Sequence, residues 1–193
     1  NEADKQILED KGHYRVGNFA GNVMQDGRTS YFHQSIGGYH AAKMGRYQEL
    51  FDYQIAKNNM EALHMLNTKY FIVGANQVQV NPDANGNAWF VHELVKVNSA
   101  DEEMKTLDTL NTKQAAVIDV SSFTSAVSFP QKIDTTASIQ LTKYDVTTLE
   151  YSSNSTKLQF AVFSEIYYKE GWNAYIDGKI SPHYRVNYVL RGM

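Results

Sequence analysis

Over the first part of the chain, apolar positions recur at helical spacing or in short unbroken runs; beyond about residue 125 the helical period disappears. Residues 2–10 read as one short helix, followed by a strand at Tyr14, Arg15 and Val16. Residues 17–38, rich in Gly, Asn and Ser, read as a long ordered loop. Met44, Tyr47, Leu50, Phe51 and Ile55 share a helical face, so residues 44–57 form a second helix. Asn58 and Asn59 break it, and Asn59 caps a third helix over 60–66. The apolar run 70–73 is a buried strand, 81–87 is a turn cluster, and 89–91 and 94–97 are strands. Ser99 with Glu102 three residues later is a capping box, which places a helix over 100–110; residues 115–120 make another strand.

The later segments 138–144, 147–152, 158–166 and 172–176 read as successive strands with short polar gaps. Asp177-Gly178 is a two-residue hairpin signal leading into Lys179-Ile180, because both turn positions need positive φ and these residues tolerate it. Residues 184–190 form the final strand. The expected class is α+β: a mixed α/β part over 1–124 and an antiparallel, jelly-roll-like β-sandwich over 125–193, divided between residues 120 and 137. No internal repeat is visible.

Composition removes several function classes. A net charge of −3 without any dense Lys/Arg run gives no electrostatic footprint for nucleic acid. The absence of cysteine excludes disulfides, thiol catalysis and thiolate metal sites together. No apolar stretch approaches the roughly 20 residues of a membrane helix. The chain starts Asn1-Glu2-Ala3-Asp4 without an initiator Met or a signal peptide, and reads as an excised segment.

Three stretches resemble the bacterial YfhO-like membrane proteins in their Bacteroides-type form. They are Ser30 to Lys43 with Arg46-Tyr47-Gln48, then Met65 to Ile72, then Ser164 to Tyr168 with Gly171-Trp172, Tyr175 to Gly178 and Arg185 to Arg191. The resemblance implies a polytopic parent similar to glycosyltransferases that use a polyprenyl-phosphate-linked sugar. This segment would then lie on the extracytoplasmic (periplasmic) side of the cell membrane, beside its own membrane-embedded region. The family pattern continues past Leu190-Arg191 with a turn and one more strand, so the resemblance implies a sandwich truncated at its C-terminal strand.

Chemistry-bearing patterns are sparse. His33 and His40 are seven apart but lack a third ligand, and nothing calls for a metal or a cofactor. Glu165 and Asp177 are the only evident glycosidase pair, yet Asp177 belongs to the hairpin turn and Glu165 to a strand. Gly37-Gly38 reads as a tight bend rather than an anion cradle. Trp89, Trp172, Tyr167 and Tyr168 offer ring faces to a sugar or side chains to a core, and Trp172 is the candidate for ligand contact. If a helix follows Gly38, then Tyr39, Lys43 and Arg46 fall on one face with His40 beside them, a grouping suited to a pyrophosphate or anionic polymer. The expected function is a non-catalytic accessory domain that binds a glycan acceptor or a polyprenyl-phosphate-linked donor. The alternative is a stand-alone carbohydrate-binding module.

Overall fold

The structure is a computed structural model and describes residues 1–39, 42–123 and 134–193. Helix α1 (Glu2–Leu8) starts with a reciprocal box: the Asn1 side chain accepts from Asp4 N–H, and the Asp4 carboxylate accepts from the Asn1 amino group. Its Ala3 and Ile7, one turn apart, are fully buried with Val16 and Ile72. They cover a three-stranded sheet of β1 (Arg15–Asn18), β2 (Thr68–Gly74) and β3 (Gln77–Val80), in which β1 and β2 are parallel and β2 and β3 antiparallel.

The exit of α1 is tied to this sheet through Asp10, whose carboxylate accepts from Lys69 Nζ, Gly12 N–H and Tyr70 Oη. These bonds, the one from Lys69 foremost, hold the Asp10 carboxyl down at about 2. A depressed folded-state pKa means stability that is present above the ordinary value near 4 and lost as pH falls through about 2. Asp10→Asn should therefore cost about 1 kcal/mol at neutral pH, after allowing for solvent screening. Urea midpoints measured from pH 6 to pH 2 should show that gap closing in acid; a constant gap would mean that the charge contributes nothing.

The connection from β1 to β2 differs from the sequence expectation. Within 17–38 lies a short helix, α2 (Gly27–Phe32), whose cap Asp26 accepts from the N–H groups of Arg28 and Thr29, from the Thr29 hydroxyl and from Asn18. Only Thr29 of this helix is buried, so no apolar period announces it. Beyond it, Val16 N–H donates to Gln34 O and Ile36 N–H to Val16 O, adding a parallel bridge at the edge of the sheet.

Helix α3 (Gly45–Tyr53) runs into a 3-10 turn (Ile55–Lys57), and Asn58 stops it with a left-handed φ of 62°. Asn59 caps α4 (Met60–Met65) by accepting from Glu61 N–H. Buried Gln54 donates to Met104 O and Asp108 Oδ1, and Asn59 donates to Gln54 Oε1 and Leu107 O. That network fixes the corner against α5 (Ala100–Thr106). Ser99 caps α5, while the Glu102 carboxylate reaches Asn98 N–H, so the box closes one residue further out. The helix ends four residues short of the expected 110.

The remaining strands complete an α+β fold. They are β4 (Ala88–Val91), β5 (Glu93–Val97), β6 (Ala115–Asp119), β7 (Ser138–Tyr144), β8 (Leu149–Asn154), β9 (Phe160–Ile166), β10 (Ala174–Ile176), β11 (Lys179–Ser181), β12 (Tyr184–Val186) and β13 (Leu190–Gly192). Strands β5 and β6 pair in parallel, and every residue of β6 is buried. An antiparallel sheet has the order β12-β13-β9-β4, so strands from both sides of residue 125 share one sheet. The main core does the same, gathering Leu50, Met65, Leu66, Trp89, Ile118, Val162 and Leu190. Each fully buried side chain of this kind contributes roughly 1.5–3 kcal/mol by removal from water.

Asp177 and Gly178 carry φ of 49° and 76° and join β10 to β11, the turn that the dipeptide predicts. The final segment is a correction. Residues 184–190 are not one strand, because Asn187 (φ 48°) and Tyr188 (φ 71°) turn the chain back so that β12 pairs with β13. The proposed boundary region beyond Phe123 falls largely in residues 124–133, outside the described residues.

Candidate functional site

The Asn187-Tyr188 turn also helps to build a cleft lined by cations and phenol rings. Asn187 imitates a strand neighbour of β6: its N–H donates to Val117 O at 2.8 Å, and its side-chain oxygen accepts from Val117 N–H at 2.9 Å. Tyr188 N–H donates to Glu103 Oε1 at 3.0 Å. Glu103 is fully buried on α5 and also accepts from Arg46 Nη1 at 3.3 Å. Burial pushes the Glu103 carboxyl up; the Tyr188 N–H, Arg185 and Arg46 oppose that shift. The Arg46 guanidinium lies 4.4 Å from the Tyr188 ring centre, a cation–π arrangement. The Tyr188 hydroxyl donates to Glu49 at 2.5 Å, and burial together with that carboxylate raises it to about 12.

Above this floor opens a cleft of about 320 Å³ between the start of α3, the end of β9 and β12. Arg46, Tyr167, Tyr168, Lys169, Arg185 and Tyr188 line it. Arg185 projects from β12, donates from Nη2 to Ser122 Oγ at 3.0 Å and lies 5.9 Å from the Tyr167 ring. Burial first, then the neighbouring Arg46 charge, pushes the Arg185 guanidinium down from its usual value. The cleft thus presents cations and phenol rings, and the two carboxylates beneath it are engaged, Glu103 by Tyr188 N–H and Arg46 and Glu49 by the Tyr188 hydroxyl. Chemically it can hold an anion and stack a ring.

The residues singled out from the sequence are scattered by the fold. Helix α3 starts at Gly45, so Tyr39, Lys43 and Arg46 do not share a helix face. The Gly-Gly bend is tightly packed: a Cβ on Gly37 would meet Val23 O at 2.1 Å, and Gly38 holds φ at 124° with its N–H donated to Val23 O. That leaves this bend no cradle of free N–H groups. Tyr39 is 80% exposed, Lys43 reaches Met24 O at 3.5 Å, and His40 lies outside the described residues. Among the described residues of that group, Arg46 alone lines the cleft. Trp172 is half-buried beneath the Arg191 guanidinium, 4.3 Å from its ring centre, away from the cleft lining.

The other candidates take structural places. Trp89 is buried and donates from Nε1 to Thr112 O. His33 Nε2 faces Asp4 Oδ1 at 3.2 Å, and among the described residues no three His, Asp or Glu side chains converge. Asp177 sits in an exposed turn, and Glu165 is half-buried on β9. In a second cleft of about 340 Å³, near Glu61, His64, Asp83 and Lys113, Glu61 accepts from Thr112 and Lys113 donates to Asn85 O.

Glu103, Lys169, Arg185 and Tyr188 escape a reading of the sequence. The one local signal is Asn187, since Asn enters the left-handed region more readily than most residues. No protein-family model, curated protein or solved structure matches this chain. Among the described residues no helix is long and apolar enough to cross a membrane.

Proposed function

We propose that this chain is a non-catalytic glycan-binding domain, the extracytoplasmic accessory part of a polytopic membrane protein that modifies cell-envelope glycans. The observation that carries the binding role is the cleft between α3 and β12, where tyrosine rings stand beside Arg46, Arg185 and Lys169. Pyranose C–H faces match phenol rings, and guanidinium groups hold hydroxyl or anionic substituents. The placement beside a membrane enzyme rests on the resemblance of the three stretches to YfhO-like proteins. Acceptor glycan or lipid-linked donor is the ligand that this placement supplies.

Saturation-transfer NMR on the purified chain with a panel of cell-envelope glycan fragments tests the binding role. Transfer to pyranose C–H protons is expected, with at least a tenfold weaker interaction in Tyr168→Ala. Tyr168 is 54% exposed, so its removal should leave the fold unchanged. Absence of transfer across the panel would sink the reading, and turnover of a fragment would sink its non-catalytic part. Membrane spans encoded on both sides of this segment would support the accessory placement over a stand-alone module.

A further inference from the structure

We infer that the cleft is a sugar-phosphate site: the phosphoryl group sits inward between Arg46, Arg185 and the first turn of α3, and the sugar ring lies outward against Tyr168. This rests on the glycan-binding reading above and names its ligand class.

Three separate features meet at the inner end of the cleft. The first is a surplus of guanidinium donors. Arg46 uses Nη1 toward Glu103 and Tyr188 O at 3.3 and 3.4 Å, and Arg185 uses Nη2 toward Ser122. No acceptor among the described residues takes Arg46 Nη2 or Arg185 Nη1, and Arg185 Nε is buried without a partner. Planar forks with donors to spare match the oxygens of a phosphate.

The second feature is charge. The guanidinium groups of Arg46 and Arg185 line the same cleft, and their like charges disfavour one another. Glu103 and Asp119 offset them, but Glu103 is held in the core by Tyr188 N–H, and Asp119 accepts from Ser121 and Ser122. The Glu49 carboxylate is likewise taken by the Tyr188 hydroxyl, and an anion entering the cleft would meet both guanidinium groups and relieve their repulsion.

The third feature is the start of α3. Its cap position is Met44, which has no side-chain acceptor, so the first-turn N–H groups of Gly45 and Arg46 are left to solvent. Met44, Gly45 and Arg46 all line the cleft, and a Cβ built on Gly45 would meet nothing within 4 Å. The N-terminal end of a helix carries partial positive charge and favours an anion there. A volume of about 320 Å³ lies at the small end of ligand pockets, suited to a monosaccharide phosphate.

The test is calorimetric titration of the intact chain with hexose 1-phosphates, the matching methyl glycosides and inorganic phosphate. Each hexose phosphate that binds should do so at least tenfold more tightly than its glycoside, with affinity falling as salt rises. Arg185→Gln should weaken it at least tenfold. Because Arg185 also meets Ser122, a second variant guards against misfolding. Gly45→Pro removes one N–H at the first helical position, where proline is tolerated, and Met44 already has the extended ψ of 124° that a following proline requires. It should weaken the hexose phosphate about fivefold, and the glycoside by less than that.

Equal binding of phosphate and glycoside would overturn the phosphate seat while glycan binding stands. Inorganic phosphate binding as tightly as every hexose phosphate would keep the seat and sink the glycan reading. Silence from all probes would sink both. A farnesyl hexosyl phosphate then separates the sources, since undiminished binding assigns a lipid-linked phosphodiester and exclusion assigns a free sugar phosphate.

Discussion

Glu103→Ala should lower the unfolding free energy by about 3 kcal/mol, read as a fall in the urea midpoint. Glu103 is fully buried and accepts from Tyr188 N–H and from Arg46. Alanine leaves that N–H in the core without an acceptor, which by itself costs about 1–3 kcal/mol. It also leaves Arg46 facing Arg185 with less to neutralise either; the Arg46 side chain is 28% exposed, so water softens this part. Glu103→Gln keeps an oxygen for Tyr188 N–H and removes a charge whose burial is unfavourable, so it should cost less than about 1 kcal/mol. Equal losses for Ala and Gln would place the effect in the ion pair rather than in the hydrogen bond to the turn.

Asn187→Ala should be comparably damaging, at about 3 kcal/mol, by a different route. The backbone at Asn187 holds φ at 48°, where a residue with a plain Cβ is less favourable by roughly 1 kcal/mol. Its side-chain oxygen is the acceptor for Val117 N–H, and both residues are fully buried. Loss of that acceptor strands a donor within β6. Asn187→Gly separates the two contributions, because glycine accepts the backbone conformation and still strands Val117. The expected order of urea midpoints is wild type, then Gly, then Ala. If both variants stay within about 0.5 kcal/mol of wild type, the turn is not the anchor described here.

These two residues show where local reading of the chain stops. Asn58, Asn59 and Ser99 announce helix ends and starts by chemistry confined to a few residues, and the helices follow them. Asp177-Gly178 does the same for its hairpin. Asn187 has the same left-handed tendency, yet it stands inside an apolar run that reads as a strand through residue 190. What turns the chain there is Val117 on β6 and Glu103 on α5, far away in sequence. Strand β3 was missed for a related reason: Val78 faces the small core, whereas Val80 is 58% exposed at the edge.

By itself, then, the sequence determined the α+β class, most helix boundaries, the Asp177-Gly178 turn and Arg46 as a residue of interest. Capping groups, β-branched runs and left-handed Asn or Gly act within one or two turns of chain, so they are legible locally. The tertiary structure decided the pairing of β4 with β9, the folding back of β12 onto β13 and the rejection of Tyr39, Lys43 and Trp172 from the cleft. It also decided that Arg46, Tyr167 and Arg185 meet. Those three come from α3, the end of β9 and β12, and only strand register and core packing bring such distant segments together.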